Sequence, residues 1–341
     1  MQKFLIIQTA FIGDVVLATV LIEKLHASFP DAQIDFLLRK GNEDLLANHP
    51  YLNEVMIWIK KENKTKNLFK LINTIREKKY DKVINVQRFF STGLITAFSN
   101  AKEKIGFDKN PLSFLFDVKV KHIVGTKEHP VHETERNLSL VKHFTNDVPA
   151  RMKLYPSEED HTFVNRELST VNSQLSTAKY ICVAPSSVWF TKQFPKEKWI
   201  EFLREIPSSI NIYFLGAPSD KNLCDNIIAV LPGHTTKNLC GTLSFLQSAA
   251  LMENALMNYA NDSAPLHIAS AMNAPVTAVF CSTVTWFGYW PLSDKSFVVE
   301  KTEPLYCRPC TTHGRKECPE KHFKCALDIN KQKLLSILKY E

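Results

Sequence analysis

The pattern that most limits how this chain can fold is an alternation of short apolar runs and helix-period segments that begins twice. Near the N-terminus, Lys3–Thr9 is an apolar run of the length of a buried parallel strand. AFIGD follows it, and then VVLATVLIEKLHASF, whose apolar residues recur at helical spacing. Ile34–Leu38, Glu54–Ile59 and Lys82–Val86 read as further strands, with a helical segment at Leu68–Lys78. A polar stretch from Pro156 to Ala178 reads as a linker containing a helix. The alternation then restarts: Tyr180–Ala184, Ile210–Leu215 and Val276–Phe280 are strand-like, and Lys196–Glu205 and Ser219–Leu231 helix-like. Each half predicts a parallel sheet with helices on both faces, and two such halves predict a cleft between them.

Length and composition agree with that division. A chain of 341 residues suffices for two domains with separate cores, and 45% hydrophobic with 23% charged residues is the balance of a globular protein. The boundaries expected are 1–155, a linker over 156–178, a second domain over 179–325, and a closing helix over 326–341. No apolar run approaches the ~20 residues of a membrane span, and no signal peptide is recognised, so a cytoplasmic protein is expected. The net charge of +7 is uneven, with 22 Lys and Arg against 17 Asp and Glu in the first 150 residues. Between Lys60 and Lys82, nine basic residues stand beside three acidic ones. Either this is a solvated helix face or the first domain meets an anionic partner such as a membrane surface. The basic residues are not interleaved with stacking aromatics, which argues against nucleic acid.

Three junctions carry candidate chemistry. The first is the turn after the first strand, where Gly13 and Asp14 sit where open α/β sheets bind ligands. Asp14 there is either a helix cap or a reacting carboxylate. The second is CVAPSSVWFTKQFPKEKW, a hydroxyl-rich loop between strand and helix that suits a diphosphate. Ser186, Ser187 and Thr191 are its donors and Lys192 its cation. The third is NDSAPLHIASAMNAPVTAVF, with Asp262 and Ser263 at the entry of a small-residue helix whose N–H groups either take a side-chain cap or hold phosphate. Elsewhere, Arg88 lies past a strand end beside Phe89 and Phe90. His132 and Arg136 stand four apart on a helical segment, where Arg136 either binds an acceptor anion or pairs with Glu133 or Glu135. Asp220, after the LGAP turn, reads as a helix cap, and Trp286, Tyr289 and Trp290 as stacking surfaces or core.

Taken in order, FIGDVVLATVLIEKL, KQFPKEKW and NDSAPLHIASAMNAPV resemble the ADP-heptose:lipopolysaccharide heptosyltransferases, glycosyltransferase family 9, most of all members of the heptosyltransferase II type. NVQRFFSTGL, KIGF and HETERNLSLV add to the likeness, which spans nearly the whole chain. The resemblance implies an α/β GT-B fold of two Rossmann-like domains, the first for the acceptor and the second for the nucleotide sugar. It implies an inverting transfer of heptose from ADP-heptose to the lipopolysaccharide inner core, with Asp14 as general base and no required cofactor. Lys192, Ser187, Thr191, Asp262, Ser263, Ala264 and His267 would hold the donor. Gly13, Arg88, His132 and Arg136 would meet the acceptor, in a monomer touching the inner-membrane surface.

Two rival readings stay open on the residues alone: a nucleotide-sugar epimerase of the same fold, and a binding protein without turnover. Cysteine usage adds a separate question. None of the eight precedes Cys182, and four form Cys307-x2-Cys310-x7-Cys318-x6-Cys325. In a cytosolic protein these four are either a structural zinc site, with His322 as a possible substitute ligand, or plain reduced thiols.

Overall fold

A computed structural model describes residues 1–60, 62–169 and 179–338 of the chain. It forms two compact units, 1–125 with 131–155, and 126–130 with 156 onward. The first contains β1 (Lys3–Ile7), α1 (Ile12–Ser28), β2 (Gln33–Arg39), β3 (Glu54–Trp58), α2 (Lys64–Lys78) and β4 (Lys82–Asn85), then α3 (Phe90–Ala97), β5 (Glu103–Phe107), β6 (Val118–Val120) and α4 (Glu133–Ser139). The second begins with α5 (Glu158–Ser169) and runs through β7 (Tyr180–Ala184), α6 (Lys196–Leu203), β8 (Asn211–Phe214), α7 (Lys221–Ile228) and β9 (Thr236–Asn238). It continues with α8 (Phe245–Glu253), β10 (Met257–Asn261), α9 (Ala264–Ala271), β11 (Val276–Phe280) and β12 (Ser296–Glu300), and closes with α10 (Lys324–Leu327) and α11 (Lys331–Leu338).

Both sheets are six-stranded, and every pairing in them is parallel. The first is ordered β3-β2-β1-β4-β5-β6 and the second β12-β11-β10-β7-β8-β9. In each, the order reverses between two central strands: β1 and β4 in one, β7 and β10 in the other. Outside the carboxyl ends of strands at such a reversal, the flanking loops diverge and leave a crevice. Asp14 follows β1 and Arg88 follows β4, while Lys192 follows β7 and Asp262 follows β10. The candidate residues therefore gather at the two reversals.

The central strands form because they are buried on both faces: Phe4–Ile7 and Tyr180–Ala184 show no exposed position. In α1 every residue from Val15 to Ile22 is buried, since the helix lies between the sheet and α4. Five strands escape the sequence reading: β5, β6, β9, β10 and β12. β10 reads MNYAN, and its two asparagines hide a core strand. Asn258 is fully buried, and its amide donates to Met252 O and Pro275 O, both at 2.9 Å. β6 and β9 are three-residue edge strands, too short to show a period. The expected helix within the linker is α5, while 170–178 and the last three residues of the closing helix lie outside the described residues.

Candidate active site

In the second unit the hydroxyl-rich loop is stitched to the end of β10. Asn261, fully buried, accepts the Phe194 N–H at 2.9 Å and donates to Pro185 O at 2.8 Å, so one side chain fixes both ends of the loop. Thr191 is also buried. Its hydroxyl meets Ser282 Oγ at 3.0 Å and accepts the Arg315 N–H at 2.8 Å. Gly314, at φ +85°, passes so close to the loop that a Cβ there would stand 2.8 Å from Lys192 Cγ. The turn before Cys318 thus braces the lysine from outside.

So braced, Lys192 brings Nζ to 2.8 Å from Asp262 Oδ2, which also accepts the Thr283 hydroxyl at 2.6 Å. The two charged side chains are 15% and 7% exposed, so the pair is held in low dielectric. Ser263 takes the N-cap position of α9 but does not cap it, because its hydroxyl turns back to Asn261 O at 3.3 Å. Asp262 is committed to Lys192 and Thr283. The expected side-chain cap is therefore not made, and the positive end of the α9 dipole stays directed at the loop. Ala264 opens the helix, and Pro265 brings no N–H to the first turn. His267, one turn on, is buried, and desolvation pulls its pKa down to about 4, the nearby Lys192 adding to the fall and Asp262 opposing it. The imidazole is neutral near pH 7, and its Nδ1 has no hydrogen-bond partner among the described residues. Tyr289 stands edge-on to it, with ring centroids 6.3 Å apart.

In the first unit, Asp14 is the third residue of α1, next to Gly13, and its carboxylate accepts the Phe11 N–H at 3.1 Å. This is the geometry of a helix cap, and it orients a half-buried carboxylate at the mouth of the β1–β4 reversal. Thr9 and Gln87 tie the two loops there through a 2.7 Å hydrogen bond. Arg88 is exposed directly after Gln87. His122 is pulled down to about 4 by burial and then by the positive charges of Arg88 and Arg136, which puts all three in one cationic neighbourhood.

The family model for glycosyltransferase family 9 (heptosyltransferase) matches residues 68–324. The chain belongs to glycosyltransferase family 9. It is 28% identical over 292 residues to lipopolysaccharide heptosyltransferase 3 of Escherichia coli, across 80% of this chain and 82% of that one. In fold it matches the E. coli ADP-heptose lipopolysaccharide heptosyltransferase II, with a TM-score of 0.78 at 23% identity over 100% of this chain and 98% of that one. It likewise matches a family 9 glycosyltransferase from Veillonella parvula, with a TM-score of 0.85 at 18% identity and the same coverage. The fold is the α/β GT-B class and the protein is a glycosyltransferase of the lipopolysaccharide heptosyltransferase family. Neither the epimerase nor the non-catalytic reading gains support.

Within this heptosyltransferase-family chain the candidate residues divide. Lys192, Asp262, Ser263, Ala264 and His267 come together at the second reversal, and Ser187 lies half-buried on the same loop. Thr191 is buried on that loop, where its hydroxyl oxygen is within hydrogen-bond distance of Ser282 Oγ and accepts the Arg315 N–H. His132 and Arg136 also serve the fold. His132 caps α4 by accepting the Thr134 N–H at 3.2 Å, and buried Arg136 pairs with Glu133 and donates to Val131 O at 2.9 Å. Both side chains are thus held by internal contacts at the head of α4.

Asp220 caps the short turn before α7 through Ala217 N–H at 2.8 Å, rather than α7 itself. Trp290 lines a shallow hollow with Pro291, Ser296 and Val298, and Trp286 packs edge-on against Phe287. Cys325 is buried in the core of the second unit, and burial pushes its thiol up to about 12. Cys307 Sγ lies 3.9 Å from His322 Nε2, and Cys310 Sγ reaches Cys307 O at 3.4 Å. Among the described residues no group of three or more His, Cys, Asp or Glu is arranged to hold a metal ion, Cys318 included. Asn261 and Thr283 escaped the sequence reading. A polar residue closing an apolar strand was the only available signal for the first.

Proposed function

We propose that the protein transfers heptose from ADP-heptose to the inner core of lipopolysaccharide with inversion at the anomeric carbon. The observation that carries this reading is the Lys192–Asp262–Thr283 constellation, set at the second strand reversal beside the amino end of α9. An acceptor hydroxyl attacks the anomeric carbon as the bond to ADP breaks, and Asp14 takes the hydroxyl proton. A general base of this kind is worth about 10²–10⁴-fold. The departing diphosphate gains negative charge, which Lys192 and the α9 amino terminus are suited to stabilise. Asp262 orients the lysine while leaving two of its three N–H donors for phosphate. Neutral His267 adds no charge that would trap the product.

The donor belongs, on this reading, to the domain expected over 179–325 and the acceptor to that over 1–155, with both sets of residues supplied by one monomer. A lipid-anchored acceptor calls for contact with the inner-membrane surface from the cytoplasm. Supporting that contact, Phe89, Phe90 and Phe114 are 60%, 56% and 69% exposed, near the exposed cations Arg88, Lys109 and Lys121 in sequence. No helix among the described residues is long and apolar enough to cross a membrane.

The test is release of ADP from ADP-heptose in the presence of a truncated lipopolysaccharide, with Asp14→Asn alongside and the product's anomeric configuration read by NMR. Acceptor-dependent release, an inverted product and a loss of at least about 100-fold in the variant are expected. A retained configuration, or a fully active variant, would remove Asp14 from the role of base.

A further inference from the structure

We infer that Lys60 is a positioning residue for this transfer, holding the loop from Thr9 to Phe11 in the shape that sets Asp14 at the head of α1. The inference rests on the reading of Asp14 given above. Lys60 follows β3, two strands away from β1 in the sheet, yet its ammonium donates to Thr9 O at 2.9 Å and to Thr9 Oγ1 at 2.8 Å. That ammonium also stands over the Trp58 indole, with Nζ 4.6 Å from the ring centroid. The Thr9 hydroxyl passes the contact on to Gln87 Oε1 at 2.7 Å, at the end of β4.

The next residues of the loop are gripped from the same side. Asn42 donates to Ala10 O at 3.1 Å, and the Arg39 guanidinium stands 4.8 Å over the Phe11 ring. Phe11 is the residue whose N–H the Asp14 carboxylate accepts. Three side chains, from the ends of β2 and β3, therefore fix three consecutive residues, and the last of these orients the carboxylate. Thr9 and Ala10 lie between the end of β1 and the start of α1, outside both elements, so these side chains hold them, and displacing the loop by even ~1 Å would move the base off its line to the acceptor hydroxyl.

A lysine serving only as surface charge would not be placed this way. The charged groups acting on Lys60 are Arg39 from β2 and Lys64 from α2, both cations, while the loop after β1 offers the neutral oxygens of Thr9. Burial and those two charges pull its pKa down to about 8. An ammonium under this pressure is retained where its hydrogen bonds are used.

The experiment compares wild type, Lys60→Met and Lys60→Arg in two assays: hydrogen exchange of the segment 8–16 by mass spectrometry, and steady-state ADP release. Methionine keeps an unbranched side chain of similar length and removes the ammonium, and with it the donors; thermal melting confirms that the variant is folded. In Lys60→Met the Ala10 and Phe11 amides should exchange faster, with the rest of the chain unchanged. kcat should fall about 10- to 100-fold while the KM for ADP-heptose stays put. Lys60→Arg should restore both, and should carry activity to higher pH than wild type, whose loop loosens as Lys60 deprotonates above about 8.

Unchanged exchange in Lys60→Met would overturn the inference whatever the activity. Faster exchange with wild-type kcat would overturn it too, by separating the loop from the reaction. If wild type transferred no heptose, the proposed function would fail, and the exchange data would still decide whether Lys60 holds the loop.

Discussion

Replacing Lys192 by methionine separates what the ion pair does for the fold from what it does for the reaction. The stem and its contact with Gly314 are retained, and only the ammonium is removed. Asp262 is then left 5% exposed, with Thr283 as the partner that remains. Breaking a buried pair by removing one member costs about 3–5 kcal/mol, and an exposed pair is worth about 0–1. With side chains 15% and 7% exposed, the Lys192–Asp262 pair lies towards the buried limit, so a loss of about 3 kcal/mol is expected.

The loss in transfer is separate. A donor aimed at developing charge is worth about 2.7–4 kcal/mol, or about 10²–10³ in kcat. The double variant Lys192→Met/Asp262→Asn distinguishes the two contributions. Its asparagine still accepts from Thr283 and leaves no uncompensated charge, so most of the lost stability should return while transfer does not. Urea unfolding of the second unit, calorimetric titration with ADP and the ADP-release assay on all four proteins of the cycle would measure both. Wild-type ADP affinity and wild-type kcat in Lys192→Met would refute the assignment of the phosphates to this lysine. Failure of the double variant to recover stability would refute the account of Asp262 as a stranded charge.

Two further outcomes follow from the same geometry. Asn261→Ala removes the side chain that fixes Phe194 N–H and Pro185 O, leaving buried backbone groups unpaired at a cost of about 1–3 kcal/mol; faster exchange across 185–194 and weaker ADP binding are expected, and an unchanged ADP Kd would contradict it. His267 titrates at about 4 in the folded protein against 6.5 normally, so the unfolded chain binds the proton more readily between these values. Stability from this group is complete above about pH 6.5 and is lost as pH falls towards 4, by about 3 kcal/mol in all; His267→Gln should flatten this part of the acid limb, and an identical limb would show that other groups carry it.

Much of the site was legible because its residues sit at junctions with local signatures. The string from Asp262 to His267 announces a helix entry, and β7 and β11 appear with their observed bounds since they are apolar runs buried on both faces. Asn261 and β10 were not legible. Their polar side chains find partners 67 and 76 residues away in the chain, and no local pattern reports such pairing. Arg136 shows what spacing leaves open: of the partners its position allowed, the structure shows the ion pair with Glu133 and a hydrogen bond to the Val131 carbonyl.

By itself, the sequence determined that two α/β units would form and that a carboxylate, a lysine and a small-residue helix would follow their strands. Hydrophobic period and turn chemistry are local properties, and a linear string carries them in full. Only the tertiary structure decided that β7 lies beside β10, which brings Lys192 to Asp262 across 70 residues of chain, and that β3 delivers Lys60 to the loop ahead of Asp14. Strand order is settled by the global competition of parallel pairings for burial, and the long-range side-chain partnerships in the two sites depend on that choice.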